Sequence, residues 1–291
     1  MGSLDGRVAI ITGAGRGIGR EHALYFASEG AKVVVNDLGG TNDGSGADIT
    51  PAQQVVEEIR AMGGEAVVNG DNVADWQGAQ RMINQAVETF GDLDILVNNA
   101  GILRDRVLVN MTEEEWDAVI AVHLKGHFAP SRWAASYWRE QAKAGVAKPR
   151  NIVHTSSTSG LFSNPGQSNY GAAKTGIATF SQIIAKELAR YGVKSNTIAP
   201  GARTRLTLAT PGLEDVMKPR EGAFDPWDPA NISPLVAYLA SADCAFSGET
   251  FLVQGGLVTM IESWARGPQV ERDSKWTVSE LADALASMVR S

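Results

Sequence analysis

Short apolar runs alternate with longer stretches of helical period from the N-terminus to about residue 254. Residues 7–12, 32–36, 66–68, 95–97, 151–155, 193–198 and 250–253 read as strands, short and rich in β-branched side chains. Residues 17–29, 51–62, 75–90, 113–143, 168–190 and 229–241 read as helices. Pro51 suits a first helical turn, and 113–143 is one long helix or a broken one. This alternation predicts an α/β fold, a single doubly wound parallel sheet with helices on both faces. No repeat or linker divides the chain. Residues 1–256 are expected to form one domain, and 257–291 a C-terminal helical extension.

Two segments break the pattern. Residues 39–48 form a Gly/Asn/Asp-rich loop after the second strand. Residues 202–228 carry little periodicity and read either as a lid over a substrate cleft or as a surface excursion. Near the C-terminus, Thr277 and Glu280 make a capping box for a final helix near 278–289. Leu281, Leu285, Met288 and Val289 give it one apolar face, for its own domain or for a neighbouring subunit. Asn110-Met111-Thr112 matches a glycosylation sequon, but Thr112 followed by Glu115 reads as another capping box.

Composition narrows the class. The 291 residues, 44% hydrophobic and 20% charged, suit a soluble globular protein, and the net charge of −7 argues against a nucleic-acid partner. Cys244 is the only cysteine, so a reducing compartment is expected. With no apolar run of membrane-spanning length, no signal-peptide pattern and no SKL-type end, the expectation is a cytoplasmic protein without membrane association.

The chemistry gathers at Tyr170 and Lys174, four residues apart, with Ser156 and Ser157 upstream. A phenol is a poor acid or base near neutrality, with an ordinary pKa of about 10. An ammonium one helical turn away is expected to favour the phenolate and lower that value. A hydroxyl nearby can hold a substrate oxygen against the phenol. Such a set moves protons but needs a hydride acceptor. The turn Thr12-Gly13-Ala14-Gly15-Arg16-Gly17-Ile18-Gly19, between the first strand and first helix, offers backbone amides to a pyrophosphate. Gly13 permits the tight turn, Gly17 the close approach of phosphate, and Gly19 close helix–strand packing. The spacing differs from Gly-x-Gly-x-x-Gly, and a purely structural glycine turn is the alternative. Asp37 ends the second strand, where a carboxylate accepts from ribose hydroxyls and repels a 2′-phosphate, favouring NAD over NADP. Arg16 pulls the other way. No metal centre is expected.

With Asn98-Asn99-Ala100-Gly101 and Pro200-Gly201 followed by Thr204, these motifs resemble the short-chain dehydrogenase/reductase family over roughly residues 5–256. The resemblance implies a Rossmann-like fold, with Tyr170 as acid/base and Ser157, rather than Ser156, holding the substrate oxygen. Lys174 would tune the phenol and bond the nicotinamide ribose. Around the dinucleotide it places Gly13, Arg16, Gly17, Ile18 and Asp37. Asn72 and Val73 would flank the adenine, and Asn99, Ala100 and Gly101 would line the adenosine side. Pro200, Gly201 and Thr204 would meet the nicotinamide end. One departure stands out: Val122-His123-Leu124 replaces the family's Val-Asn-Leu. His123 supplies the same backbone carbonyl, titrates, or simply packs in the helix.

Three segments, Val35-Asn36-Asp37-Leu38-Gly39-Gly40, Gly101-Ile102-Leu103-Arg104-Asp105-Arg106 and Val122-His123-Leu124-Lys125-Gly126, carry a narrower resemblance. It is to the (3R)-hydroxyacyl-CoA dehydrogenase domain of peroxisomal multifunctional enzyme type 2. This implies oxidation of a (3R)-3-hydroxyacyl-CoA in fatty-acid or steroid side-chain breakdown, by a homodimer or homotetramer. Arg104 and Arg106 are candidates for CoA phosphate contacts, or solvated surface arginines. A 17β-hydroxysteroid dehydrogenase, a 3-oxoacyl thioester reductase and a catalytically silent NAD-binding scaffold are the rival readings.

Overall fold

A computed structural model describes residues 2–208, 212–219 and 222–288. The expected alternation is present. In chain order it runs β1 (Val8–Thr12), α1 (Gly17–Ser28), β2 (Lys32–Asn36), α2 (Thr50–Ala61), β3 (Ala66–Asn69), α3 (Trp76–Phe90) and β4 (Ile95–Asn98). Next come α4 (Glu113–Ile120), α5 (Gly126–Lys143), β5 (Arg150–Thr155), α6 (Thr158–Phe162), α7 (Ser168–Leu188) and β6 (Val193–Gly201). The remainder is α8 (Arg205–Leu208), α9 (Leu213–Val216), α10 (Ser233–Ala240), β7 (Thr250–Gln254), β8 (Leu257–Ile261) and α11 (Val278–Ala286).

The strands form one sheet in the order β3-β2-β1-β4-β5-β6-β7-β8, parallel through β7. β8 pairs antiparallel with β7, and the sequence reading missed it. A two-residue turn, Gly255-Gly256, reverses the chain there, with Gly255 at φ +54°.

Alternate side chains of each buried strand feed two apolar layers, as a pleat of period two requires. Ala9, Ile11, Val33 and Val35 pack with Phe26 of α1, Val55 and Ile59 of α2 and Val236 of α10. Val8, Ile10, Val34 and Leu96 pack on the other face with Met82 and Ile83 of α3, Trp138 of α5 and Ile184 of α7. Cys244 is fully buried in the first layer.

Two features depart from a regular reading. The 113–143 helix is broken by a π-helical turn, Ala121–Lys125, between α4 and α5. Thr112 starts α4 with both bonds of the expected capping box. Within 202–228, α8 and α9 are short helices; residues 209–211, 220 and 221 of that segment lie outside the described residues.

The end of the sheet opposite the strand C-termini is tied by charge. Arg150 Nη1 meets Asp92 at 2.6 Å and Asp94 at 3.2 Å, and Lys148 meets both carboxylates at 2.6 Å. Tyr137 donates to Asp92 at 2.9 Å, and the Val8 amide to Asp94 at 3.0 Å. Arg150 and Asp94 are buried.

The chain divides into two compact units, Met1–Ile261 and Glu262–Ser291. In the second, Thr277 and Glu280 form the expected capping box of α11, in which no residue is buried. Val289, assigned to the apolar face of this helix, lies outside the described residues. No helix among the described residues is long and apolar enough to cross a membrane.

Candidate active site

The order of strands reverses between β1 and β4, and the crevice outside their C-terminal ends is where open α/β sheets bind ligands. A cleft of about 820 Å³ opens there. The residues nominated from the sequence for proton transfer and dinucleotide binding line it: Gly13, Arg16, Gly17, Ile18, Asp37, Asn72, Val73, Asn99, Ala100, Gly101, Ser157, Tyr170, Lys174, Pro200, Gly201 and Thr204. His123 lines it too. Arg104 and Arg106 do not. Arg104 Nε donates to the Asp43 carbonyl at 2.8 Å, and Arg106 pairs with Glu115 at 3.0 Å. Both guanidiniums are engaged by protein groups.

One end of the cleft suits a dinucleotide. Gly13 takes φ +64°, and a Cβ there would stand 2.7 Å from Ala100 Cα. The turn therefore needs glycine for conformation and for room. No side chain caps the N-terminus of α1, so its first amides remain for an anion. Asn99 Nδ2 binds the carbonyls of Thr12 and Gly13 at 3.0 and 3.2 Å, fixing the turn against β4. At the end of β2, the two oxygens of Asp37 accept from Gly15 N at 2.8 Å and Gly39 N at 2.6 Å. The carboxylate is thus oriented before any ribose meets it. The residues present fit a nicotinamide dinucleotide.

The proton-transfer groups occupy the other end. Ser156 Oγ donates to the Lys174 carbonyl at 2.7 Å, whereas Ser157 Oγ accepts from the Ser159 amide at 3.2 Å and lines the cleft with Tyr170. Lys174 is buried; its Nζ donates to the Thr155 carbonyl at 2.6 Å and lies 5.4 Å from the Tyr170 ring centre. Burial lowers Lys174 to about 7. The expected lowering of Tyr170 is not found. Burial pushes the phenol up to about 12, against the opposing pull of the Ser157 hydroxyl and with the Asp105 charge adding to the rise. The Lys174 amine gives its hydrogen bond to the Thr155 carbonyl, not to the phenol.

His123 sits in the π-helical turn and is buried. Its Nε2 lies 2.8 Å from the Ile102 carbonyl oxygen and 3.1 Å from the Ile102 amide, so either tautomer finds a partner on one residue. Its ring meets Tyr170 edge-on, with centres 5.0 Å apart. Burial and then the Lys174 charge hold it well below the usual histidine range. It therefore packs as a neutral ring at the back of the site.

The sequence reading missed two polar residues behind Lys174. His127 and His154 are buried, stacked with ring centres 5.6 Å apart, and both feel the Lys174 charge. His127 follows His123 by one helical turn, the one signal that could have nominated it.

The short chain dehydrogenase family model matches residues 7–210. The hydroxyacyl-CoA dehydrogenase ChsB1 of Mycobacterium tuberculosis is 42% identical over 298 residues, covering 97% of this chain and 88% of its own. Peroxisomal multifunctional enzyme type 2 of Drosophila melanogaster is 46% identical over 257 residues, 88% of this chain, which spans only 40% of that enzyme. Among solved structures, a short chain dehydrogenase from Mycobacterium avium shares 53% identity with a TM-score of 0.88, covering 98% of this chain and 95% of its own. One from Burkholderia cenocepacia in complex with NADP shares 28% identity with a TM-score of 0.74, covering 87% and 98%. The chain belongs to the short-chain dehydrogenase/reductase family, oxidoreductases that bind a nicotinamide cofactor.

Proposed function

We propose that the protein oxidises a (3R)-3-hydroxyacyl-CoA to the 3-oxoacyl-CoA with NAD, in fatty-acid or steroid side-chain breakdown. One observation carries the reading: Ser157, Tyr170 and Lys174 share a single cleft with the uncapped α1 turn and Asp37. Bound NAD would supply the hydride acceptor. Tyr170 takes the hydroxyl proton, and Ser157 holds the substrate oxygen against it. Lys174 sets the charge under the phenol and reaches the nicotinamide ribose. The acyl-CoA is favoured by the names of the relatives, which include a hydroxyacyl-CoA dehydrogenase. Asp37 supports NAD over NADP. We further infer a cytoplasmic homodimer or homotetramer. The single cysteine suits a reducing compartment.

The test is NAD-linked turnover of (3R)- and (3S)-hydroxyacyl-CoA thioesters of several chain lengths, beside a 17β-hydroxysteroid. Turnover of the (3R) thioesters is expected, and preference for the steroid would reassign the substrate. Tyr170→Phe should lower kcat by two orders of magnitude or more while NADH binding stays within about twofold. Near-normal turnover in that variant would remove Tyr170 from the chemistry.

A further inference from the structure

Asn169 stands immediately before Tyr170 in the first turn of α7 and is fully buried. The Tyr170 amide is among the first four of the helix, which have no intrahelical acceptor. Asn169 Oδ1 accepts from it at 2.7 Å. Nδ2 of the same side chain donates to the Arg104 carbonyl at 2.9 Å and to the Glu115 carbonyl at 3.2 Å. One side chain thus ties the backbone of the phenol-bearing residue to the loop after β4 and to α4.

Neighbouring bonds continue the join. Arg106 N donates to the Gly166 carbonyl at 2.8 Å, and Gln167 Nε2 to Asp105 Oδ2 at 2.7 Å. Asn164 Nδ2 donates to Gln167 Oε1 at 2.9 Å. The stretch so held begins at Ser163, the one non-glycine residue at positive φ among the described residues, at +68°. Backbone strained in this way persists only where its surroundings fix it. The opposite edge of residues 103–106 meets the loop after β2. Leu103 N donates to the Asn42 carbonyl at 2.9 Å, and Arg104 Nε to the Asp43 carbonyl at 2.8 Å. Residues 103–106 therefore form a strap between the loop after β2 and the start of α7. Arg104 is its centre, with its guanidinium on one loop and its carbonyl on Asn169.

We propose that Arg104 and Asn169 are positioning residues for proton transfer, holding Tyr170 at its working place through this strap. The proposal rests on the reading of Tyr170 as the acid/base, and not on the identity of the substrate. Neither residue lines the cleft, so both act through Tyr170. A reacting group misplaced by about 1 Å costs on the order of a hundredfold in rate. A loose start to α7 would therefore slow the chemistry while cofactor and substrate still bind. The loop after β2, which starts beside Asp37 at one end of the cleft, thereby supports the phenol at the other.

The test compares Arg104→Ala, Asn169→Ala and the double variant of the full chain. Turnover is measured with NAD and whichever of the thioesters or the steroid above wild type oxidises best, so that the substrate reading can fail on its own. Asn169→Ala should lower kcat about ten- to a hundredfold and Arg104→Ala about three- to tenfold, with KM and NADH binding within about threefold of wild type. Arg104→Lys, whose ammonium can also donate to a carbonyl, should recover part of the loss. The double variant should lose less than the product of the two single losses, because both cut one strap. Backbone hydrogen exchange over residues 167–172, followed without substrate, should speed up in both single variants. Faster exchange with an unchanged kcat would make these bonds structural only and overturn the proposal. A raised KM with kcat intact would move the two residues to substrate binding, and independent losses in the double variant would dissolve the strap as a unit; either result overturns it too. Arg104→Ala decides alone should Asn169→Ala not fold, since an unchanged kcat there is enough to sink the idea. Oxidation of no alcohol by wild type would overturn this proposal and the dehydrogenase reading together.

Discussion

Lys174 carries its amine into a buried site against the Thr155 carbonyl, and its pKa falls to about 7. Unfolded, it holds its proton up to about 10.4. Between those values the unfolded chain binds more protons than the folded one, so stability rises with pH across that window. Below pH 7 the folded protein bears the whole cost of the buried ammonium. Lys174→Met is therefore expected to be more stable than wild type at pH 6, by on the order of 2 kcal/mol, with the gain shrinking toward pH 10. Urea unfolding at the two pH values reads this; an unchanged gain would remove burial of charge as its cause. At the other end of the cleft, Asp37→Ala should raise the affinity for NADPH relative to NADH several-fold in binding measurements, because a carboxylate that repels a 2′-phosphate is removed. The positions of Tyr170, Lys174 and Asp37 were legible because strand ends and helix period place them. The direction of the Tyr170 shift was not, because it depends on how much water the tertiary fold removes from the phenol.

Most elements announced themselves by period, but the π-helical turn did not. Nothing in Ala121–Lys125 is a helix breaker, and Pro130, the residue that is one, sits inside α5. The turn is held by tertiary packing: His123 binds Ile102, and a Cβ on Gly101 would stand 2.5 Å from His123 Cε1. Gly101→Ala should thus destabilise by about 1–3 kcal/mol through overpacking. His123→Ala should relieve part of that cost, giving a coupling of about 0.5–2 kcal/mol in a double-mutant cycle. Additive effects would mean the two do not constrain each other. β8 was missed for a different reason. Gly255-Gly256 between two apolar runs is a hairpin signal, but it follows a long βαβ alternation that favours parallel strands only.

At the scale of the whole molecule, the two ends of the sheet differ in kind. The C-terminal ends open into loops and the cleft, while the opposite end is cross-linked by Arg150, Lys148, Asp92 and Asp94. Arg150→Leu leaves Asp94 buried without one of its cations, and a loss of about 3–5 kcal/mol is expected, seen as a lower midpoint in denaturant. Cofactor binding per folded molecule should persist, because the cleft lies at the far end; its loss would join the two ends energetically. Cys244 adds a practical consequence. The only thiol in the chain has no exposed surface, and burial raises its pKa further. A thiol-reactive dye mixed with the native protein meets nothing to label until the first apolar layer opens. The rate of labelling then becomes a clock for that opening, and a cysteine introduced at the cleft rim would be the one site a probe could find.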